Sequence, residues 1–196
     1  MASPPIPRWL PNAISCVRVA LVPVWVVFAE QANRAAHDGG DANGPRLLAA
    51  LSLVVIGASD VLDGWLARRY GLQSPLGANL DALADKLAQV VLTTYLSLRV
   101  GAAFGWIPYW FLLLLIARDA LLVVGFVAIK RRRGRVEAEH EWHGKASSLC
   151  LFAVLLAVSF GVSGAALTTT LAATAALVVF STLRYTQHGW RQFTAG

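Results

Sequence analysis

Long apolar runs alternate with short polar breaks along this chain, and the spacing of the breaks predicts its elements. The runs cover about Ala13 to Glu30, Arg46 to Arg69, Gly77 to Val100, Ile107 to Lys130, Lys145 to Val162 and Ala165 to Tyr185. Each is near the ~20 residues that a helix needs to cross ~30 Å of hydrocarbon. The segment Ala32–Gly44 is polar and glycine-containing and reads as a solvent loop, and Arg69 to Pro75 reads as a polar reversal. The expectation is an all-α integral membrane protein of six transmembrane helices, forming a single domain over residues 1–196, without a long internal repeat or low-complexity tail. The N-terminal MASPPIPRWLPN lacks a small-residue cleavage site after a short apolar core, so the first run is expected to be a retained span.

Composition agrees. Of the 196 residues, 57% are hydrophobic and 14% charged, where a soluble domain carries about 25% charged residues. Mean hydropathy is +0.58. The net charge of +6 would suggest nucleic acid on a soluble protein, but here the basic residues lie between apolar runs, where topology and lipid headgroups account for them. No nucleic-acid partner is expected. Arg68 and Arg69 follow the second run, Lys130–Arg133 and Arg135 the fourth, Arg8 precedes the first and Arg191 follows the sixth. The positive-inside rule therefore puts both termini and the two basic loops in the cytoplasm, in the cell's inner membrane. Cys16 and Cys150 lie in apolar stretches and read as buried, reduced residues, with no disulfide framework. Trp9, Trp106, Trp110 and Trp190 fall near run ends, as an interfacial belt would place them.

Against this background four aspartates are anomalous. One ionised Asp at the centre of a membrane helix costs roughly 2.5–3.5 kcal/mol, yet Asp60 and Asp63 lie three apart in the second run, and Asp81 and Asp85 four apart in the third. Both spacings put the pair on one helix face, and the polar reversal between them lets adjacent helices aim both pairs into one site. Oxygen ligands without His or Cys suit Mg²⁺, Mn²⁺ or Ca²⁺ rather than zinc, and four carboxylates can serve two such ions. Gly64 and Ala67 leave room on the same helix face, and Arg68 is placed to contact a phosphate. The combination suggests a diphosphate held on metal in a polar cavity at the cytoplasmic side. A different class remains open at this stage: the carboxylates of a divalent-cation transporter, with Gly64 and Ala67 easing helix packing. Cation passage gives no reason for the adjacent Arg68. His140, Glu141 and His143 lack a helical i, i+4 ligand pair and read as a polar loop.

The residues Asp60, Asp63, Gly64, Ala67, Arg68, Gly77, Asp81 and Asp85 meet every fixed position of D-x-x-D-G-x-x-A-R, eight residues, G-x-x-x-D-x-x-x-D. This pattern resembles the signature of the CDP-alcohol phosphotransferases. The resemblance implies transfer of a substituted phosphate from a CDP-linked donor to an alcohol, with release of CMP. It implies that Asp60, Asp63, Asp81 and Asp85 surround two divalent cations, and that Asp60, Gly64, Ala67, Arg68 and Gly77 seat the CDP moiety. Asp81 and Asp85 become the catalytic pair, Asp85 as the base facing the acceptor hydroxyl; metal close by would lower its pKa, which leaves its role between orienting and full proton abstraction. A homodimer is also implied. An inactive, scaffold-like member is disfavoured by the complete motif.

The acceptor is less legible. L-P-N-A-I-S with Arg18, D-A-L-A-D-K through Lys86, I-A-R-D from Ile116 to Asp119, and H-G-K-A-S-S from His143 to Ser148 are similar to both the phosphatidylglycerophosphate synthases and the cardiolipin synthases of that family. Both readings use CDP-diacylglycerol and a glycerol-type acceptor. Arg18, Arg118, Lys145 and Arg184 are cations in or near the membrane that serve as a counterion for Asp119, snorkel to the interface, or form a pocket for an acceptor phosphate beside the metals. Their number puts glycerol 3-phosphate first and phosphatidylglycerol second, with Arg118 and Lys145 as the expected phosphate contacts.

Overall fold

The computed structural model describes residue 7 and residues 9–72, 74–133 and 142–194; at residues 11, 75, 76, 133, 142–145, 191, 192 and 194 only the backbone is described. The described residues form six α-helices: α1 (Leu10–His37), α2 (Asn43–Arg69), α3 (Pro75–Leu98), α4 (Tyr109–Arg133), α5 (Trp142–Ser159) and α6 (Gly164–Thr194). Each expected run is found as a helix. The helices run further than the runs: α1 continues to His37, so the first half of the expected loop Ala32–Gly44 is helical, and α6 continues to Thr194. Backbone hydrogen bonding carries a helix past its apolar stretch until a residue such as Gly39, at φ 71°, closes it with a left-handed turn.

Among the described residues, four helices are long and apolar enough to cross a membrane: Asn12–His37, Asn43–Arg69, Tyr109–Arg132 and Gly164–Trp190. Among the other two, α3 carries Asp81, Asp85 and Lys86 in its first half, and the apolar part of α5 is the shorter Ala146–Ser159.

The chain divides into two compact units. One comprises residues 1–106 with 155–162, the other residues 107–154 with 163–196. In the first, α1 packs along both α2 and α3. Small side chains line the contact: Ala29, Ala32, Ala49 and Ala50 are fully buried, which lets the backbones approach where lipid supplies no hydrophobic drive between helices. Trp25, also fully buried, meets Tyr95 edge to face with ring centroids 5.5 Å apart. At the end of this unit remote from the aspartates, Glu30 accepts hydrogen bonds from Arg34 Nε (3.1 Å), Tyr95 Oη (3.1 Å) and Arg99 Nη2 (2.8 Å). That network ties α1 to the end of α3. In the second unit α4 packs against α6, and near their ends the Arg132 guanidinium lies 4.4 Å from the centroid of the Phe193 ring.

Much apolar surface faces outward, including Val61, Leu113, Val124 and Leu183, as lipid-facing helices require. Cys16 belongs to this outer surface; the expectation that it is buried fails because an apolar residue on a membrane helix is as well placed against lipid as in the core. Cys150 is half-buried and both cysteines are free thiols. Trp9, Trp106, Trp110 and Trp190 are exposed, in line with an interfacial belt.

Replacing Trp25 by Ala should cost about 3 kcal/mol or more, the usual penalty for emptying a fully packed aromatic site. Val61→Ala on the outer face should leave stability nearly unchanged. Thermal unfolding of the purified protein in detergent compares the two.

Candidate metal centre

The turn between α2 and α3 is what assembles the site. Gly71 adopts a left-handed φ of 63°, and Leu72 N donates to Ala67 O at 2.9 Å, which closes α2. Ser74 then caps α3, its Oγ accepting from Gly77 N at 3.0 Å, with Pro75 in the first turn where a missing N–H is harmless. Counting back from Arg69, Asp63 and Asp60 lie roughly 9 and 14 Å into α2 at 1.5 Å per residue. Counting on from Pro75, Asp81 and Asp85 lie roughly 9 and 15 Å into α3. The two pairs therefore sit at matched depth.

α1 supplies the counter-charge. Arg18, with its side chain fully buried, reaches all four carboxylates: Nη1 lies 2.7 Å from Asp81 Oδ1, 2.7 Å from Asp85 Oδ1 and 3.2 Å from Asp60 Oδ1, and Nη2 lies 2.7 Å from Asp63 Oδ2. Ser15, one turn earlier on the same helix, donates to Asp63 Oδ2 at 3.0 Å. Ser59 Oγ accepts from Arg18 Nε at 3.5 Å. Asp63 is buried, at 4% exposure, whereas Asp60, Asp81 and Asp85 are 44%, 39% and 51% exposed. The cluster is thus closed on the Asp63 side and open on the other.

The donor set fits a hard divalent cation. Asp60, Asp63 and Asp81 each offer one carboxylate oxygen, and those oxygens lie within 4.8 Å of one another. Asp63 Oδ1 is buried with no hydrogen-bond partner, although a carboxylate oxygen without a partner is costly in a low-dielectric interior. One guanidinium against four carboxylates leaves a deficit of positive charge that oxygen-liganded Mg²⁺ or Mn²⁺ would fill. Asp85 joins the group through Arg18 and stands outside the ligand-spaced trio.

The remaining sequence-predicted residues are placed as follows. Gly64 and Ala67 follow Asp60 and Asp63 along α2, and the Arg68 side chain folds back over Gly64, where an added Cβ would lie 3.2 Å from Arg68 Nη1. Gly77 sits against Asn12 of α1; a Cβ there would lie 2.7 Å from Asn12 Oδ1 and 3.0 Å from Ser74 Oγ. Arg118, on α4 in the second unit, is 3.5 Å from Asp119, and its Nε has no partner among the described residues. Lys145 lies in α5, with a side chain outside the described residues, as are those of His140, Glu141 and His143. Arg184 is exposed on α6.

Sequence reasoning paired Arg18 with an acceptor phosphate or with Asp119. The structure gives Asp119 to Arg118 and Arg18 to the aspartates. Asn12, Ser15 and Ser59 were not singled out. Asn12, Ser15 and Arg18 recur every third residue in the otherwise apolar stretch of α1 from Leu10 to Ala29, and that periodicity was the available signal.

Residues 8–183 match the family model described as CDP-alcohol phosphatidyltransferase. The chain is 37% identical to the cardiolipin synthase (CMP-forming) of Streptomyces coelicolor over 145 residues, 72% of this chain and 60% of that protein. It is 34% identical to a putative cardiolipin synthase of Mycobacterium tuberculosis, covering 71% of this chain and 58% of that one. It is 29% identical to the CDP-diacylglycerol–glycerol-3-phosphate 3-phosphatidyltransferase of Bacillus subtilis, covering 66% of this chain and 65% of the relative. The matched stretch thus spans about three fifths of the length of the first two relatives.

Gly77→Ala should destabilise the α1–α3 contact by about 1 kcal/mol or more through overpacking against Asn12. Adding Asn12→Ala in the same chain should recover most of that loss, and Asn12→Ala alone should have little effect. Apparent melting temperatures of the three variants test the cycle.

Proposed function

We propose that this chain, which belongs to the CDP-alcohol phosphatidyltransferase family, transfers a phosphatidyl group from CDP-diacylglycerol to a glycerol-type acceptor and releases CMP, as a step of anionic phospholipid synthesis. The observation that carries the reading is the carboxylate cluster of Asp60, Asp63, Asp81 and Asp85 on α2 and α3, open on one side and ligand-spaced in three of its members. All six helices span the inner membrane, both termini are cytoplasmic, residues 1–196 act as one catalytic domain, and the working form is a homodimer. The family-model match over residues 8–183 and the basic residues at the ends of α2 and α4 support that arrangement.

Two divalent ions, Mg²⁺ or Mn²⁺, would be held by Asp60, Asp63, Asp81 and Asp85. When bound they supply charge neutralisation on the diphosphate and the leaving phosphate. The chain's own residues do the rest. Asp60, Gly64, Ala67, Arg68 and Gly77 seat the CDP moiety: Gly64 lets the Arg68 side chain lie across α2 and Gly77 lets Asn12 come close to α3, and Arg68 offers a charged donor to a phosphate oxygen. Asp85, more than half exposed at the open side of the cluster, orients the acceptor hydroxyl and receives its proton. The hydroxyl oxygen bonds to the phosphorus that bears diacylglycerol, and the bond from that phosphorus to the CMP oxygen breaks. Positioning and electrostatic preorganisation supply most of the rate.

Arg118 and Lys145 are the proposed contacts of the acceptor's phosphate. The Nε of Arg118, without a partner among the described residues, supports a role for that side chain toward an anion. With these cations glycerol 3-phosphate is the first acceptor. Phosphatidylglycerol is the second, and two observations favour it. Arg18 is engaged by the aspartates, which reduces the cations left for a dianion, and the 37% and 34% identical relatives carry cardiolipin synthase names. A transporter would leave Arg68 and the seat at Gly64 without a purpose.

Purified protein given CDP-diacylglycerol and Mn²⁺ should release CMP when offered glycerol 3-phosphate or phosphatidylglycerol, and mass analysis of the lipid product identifies the acceptor. Inositol phosphate and serine should give none. Chelation should stop turnover reversibly. Asp81→Asn or Asp85→Asn should each lower it by roughly a hundredfold or more while the protein still inserts in the membrane. Full activity in either variant would sink the site, and cation flux in proteoliposomes without nucleotide would favour transport.

A further inference from the structure

The Arg18 guanidinium is an unusual partner for the cluster it occupies. Three carboxylate oxygens, from Asp60, Asp81 and Asp85, converge on one nitrogen, Nη1, at 3.2, 2.7 and 2.7 Å. That nitrogen carries two hydrogens, so it can direct good hydrogen bonds at two of the three. Convergent oxygens of like charge match a spherical cation better than a planar fork. The fourth carboxylate, Asp63, uses Oδ2 for Arg18 Nη2 and Ser15 and leaves Oδ1 buried without a partner. Arg18 thus neutralises the cluster incompletely, and it does so through oxygens that a metal would need.

We propose that Arg18 is a built-in surrogate cation that competes with the divalent metal for these carboxylates. Its guanidinium holds α1, α2 and α3 together at the aspartates when metal is absent, and metal loading displaces it from at least the Nη1 contacts. Two effects make the states exclusive. The Oδ1 atoms that surround Nη1 cannot also close on an ion at the same point, and a guanidinium a few ångströms from a divalent ion is repelled by it. The guanidinium itself is fully buried, so water cannot replace the carboxylates around it, although Asp60, Asp81 and Asp85 are open on their other side. The affinity of the centre for metal is therefore lowered by a residue outside the aspartate motif, and the empty centre is kept from the mutual repulsion of four carboxylates. This inference rests on the reading of the four aspartates as metal ligands.

The test is Mn²⁺ binding by the purified full chain in detergent, with no donor or acceptor lipid, followed by the resonance signal of the free ion. Arg18→Gln should bind Mn²⁺ roughly tenfold more tightly than the unchanged chain, the scale of one charged hydrogen bond removed from competition. Arg18→Lys, which keeps a charge but loses the fork, should show a smaller gain and serves if the Gln variant does not fold. As a second readout, Mn²⁺ should raise the melting temperature of either variant more than that of the unchanged chain, whose own cation already holds the helices. Equal or weaker Mn²⁺ binding in the variants overturns the inference and leaves the metal centre standing. Absence of binding in every form, the unchanged chain included, overturns the metal centre itself.

Discussion

Four carboxylates and one guanidinium, set among apolar helices, are the constraint on which the first unit depends. Carboxylates at membrane depth are tolerated only where they face one another's counter-charges, so α1, α2 and α3 have to meet where Arg18 can touch Asp60, Asp63, Asp81 and Asp85 at once. Much of the local structure follows from that requirement. The left-handed Gly71, the Ser74 cap and Pro75 set the reversal that matches the depth of the two aspartate pairs. The alanines of α1 and α2 let the backbones close far enough for a side chain of α1 to reach carboxylates on both neighbours.

The same unit is fastened at its other end by chemistry of a different kind. Glu30, Tyr95 and Arg99 pair fully, donors against acceptors, and Asn33 extends the network by donating to Tyr95 Oη and accepting from Ala103 N. Each charged group of that network meets an opposite charge or a hydrogen-bond partner. At the aspartates, by contrast, an oxygen is orphaned and three carboxylates crowd one nitrogen. What sets the aspartates apart is charge: the orphaned atom there belongs to a carboxylate, whereas those near Tyr95 are the neutral Trp25 Nε1, Thr93 Oγ1 and Ser97 Oγ, and an unpaired buried charge is the costlier deficit. The outer faces of the helices carry neither; Val61, Val124 and Leu183 meet lipid, where apolar residues cost nothing.

How far the sequence reached is clearest at particular residues. Each apolar run became a helix, although among the described residues only four of the six are long and apolar enough to cross a membrane; the end of α1 at His37 was missed because a left-handed glycine, Gly39, rather than hydropathy, stops that helix. Asp60 and Asp63 at a spacing of three, and Asp81 and Asp85 at four, announced one face each, and the intervening reversal announced that the faces meet. Cys16 was misplaced for a physical reason particular to membranes: apolar character there does not separate the core from the lipid side.

The chain's linear order therefore determined the four carboxylates, their pairing on two helices and the kind of ion that such oxygens could hold, since helical periodicity converts spacing into direction. Arg18 is different. Its charge was visible, but its partner lay 42 to 67 positions away, Asp60 being 60 − 18 = 42 and Asp85 being 85 − 18 = 67 residues further on, and no local rule selects one carboxylate over another at such range. Asp119 and a substrate phosphate were equally good partners on paper. Only the packing of α1 into the groove of α2 and α3 decided it, because the cost of a buried, unpaired charge depends on which opposite charges the fold brings within about 3 Å. The chemistry of the site was written in the sequence, and the residue that holds it closed was chosen by tertiary structure.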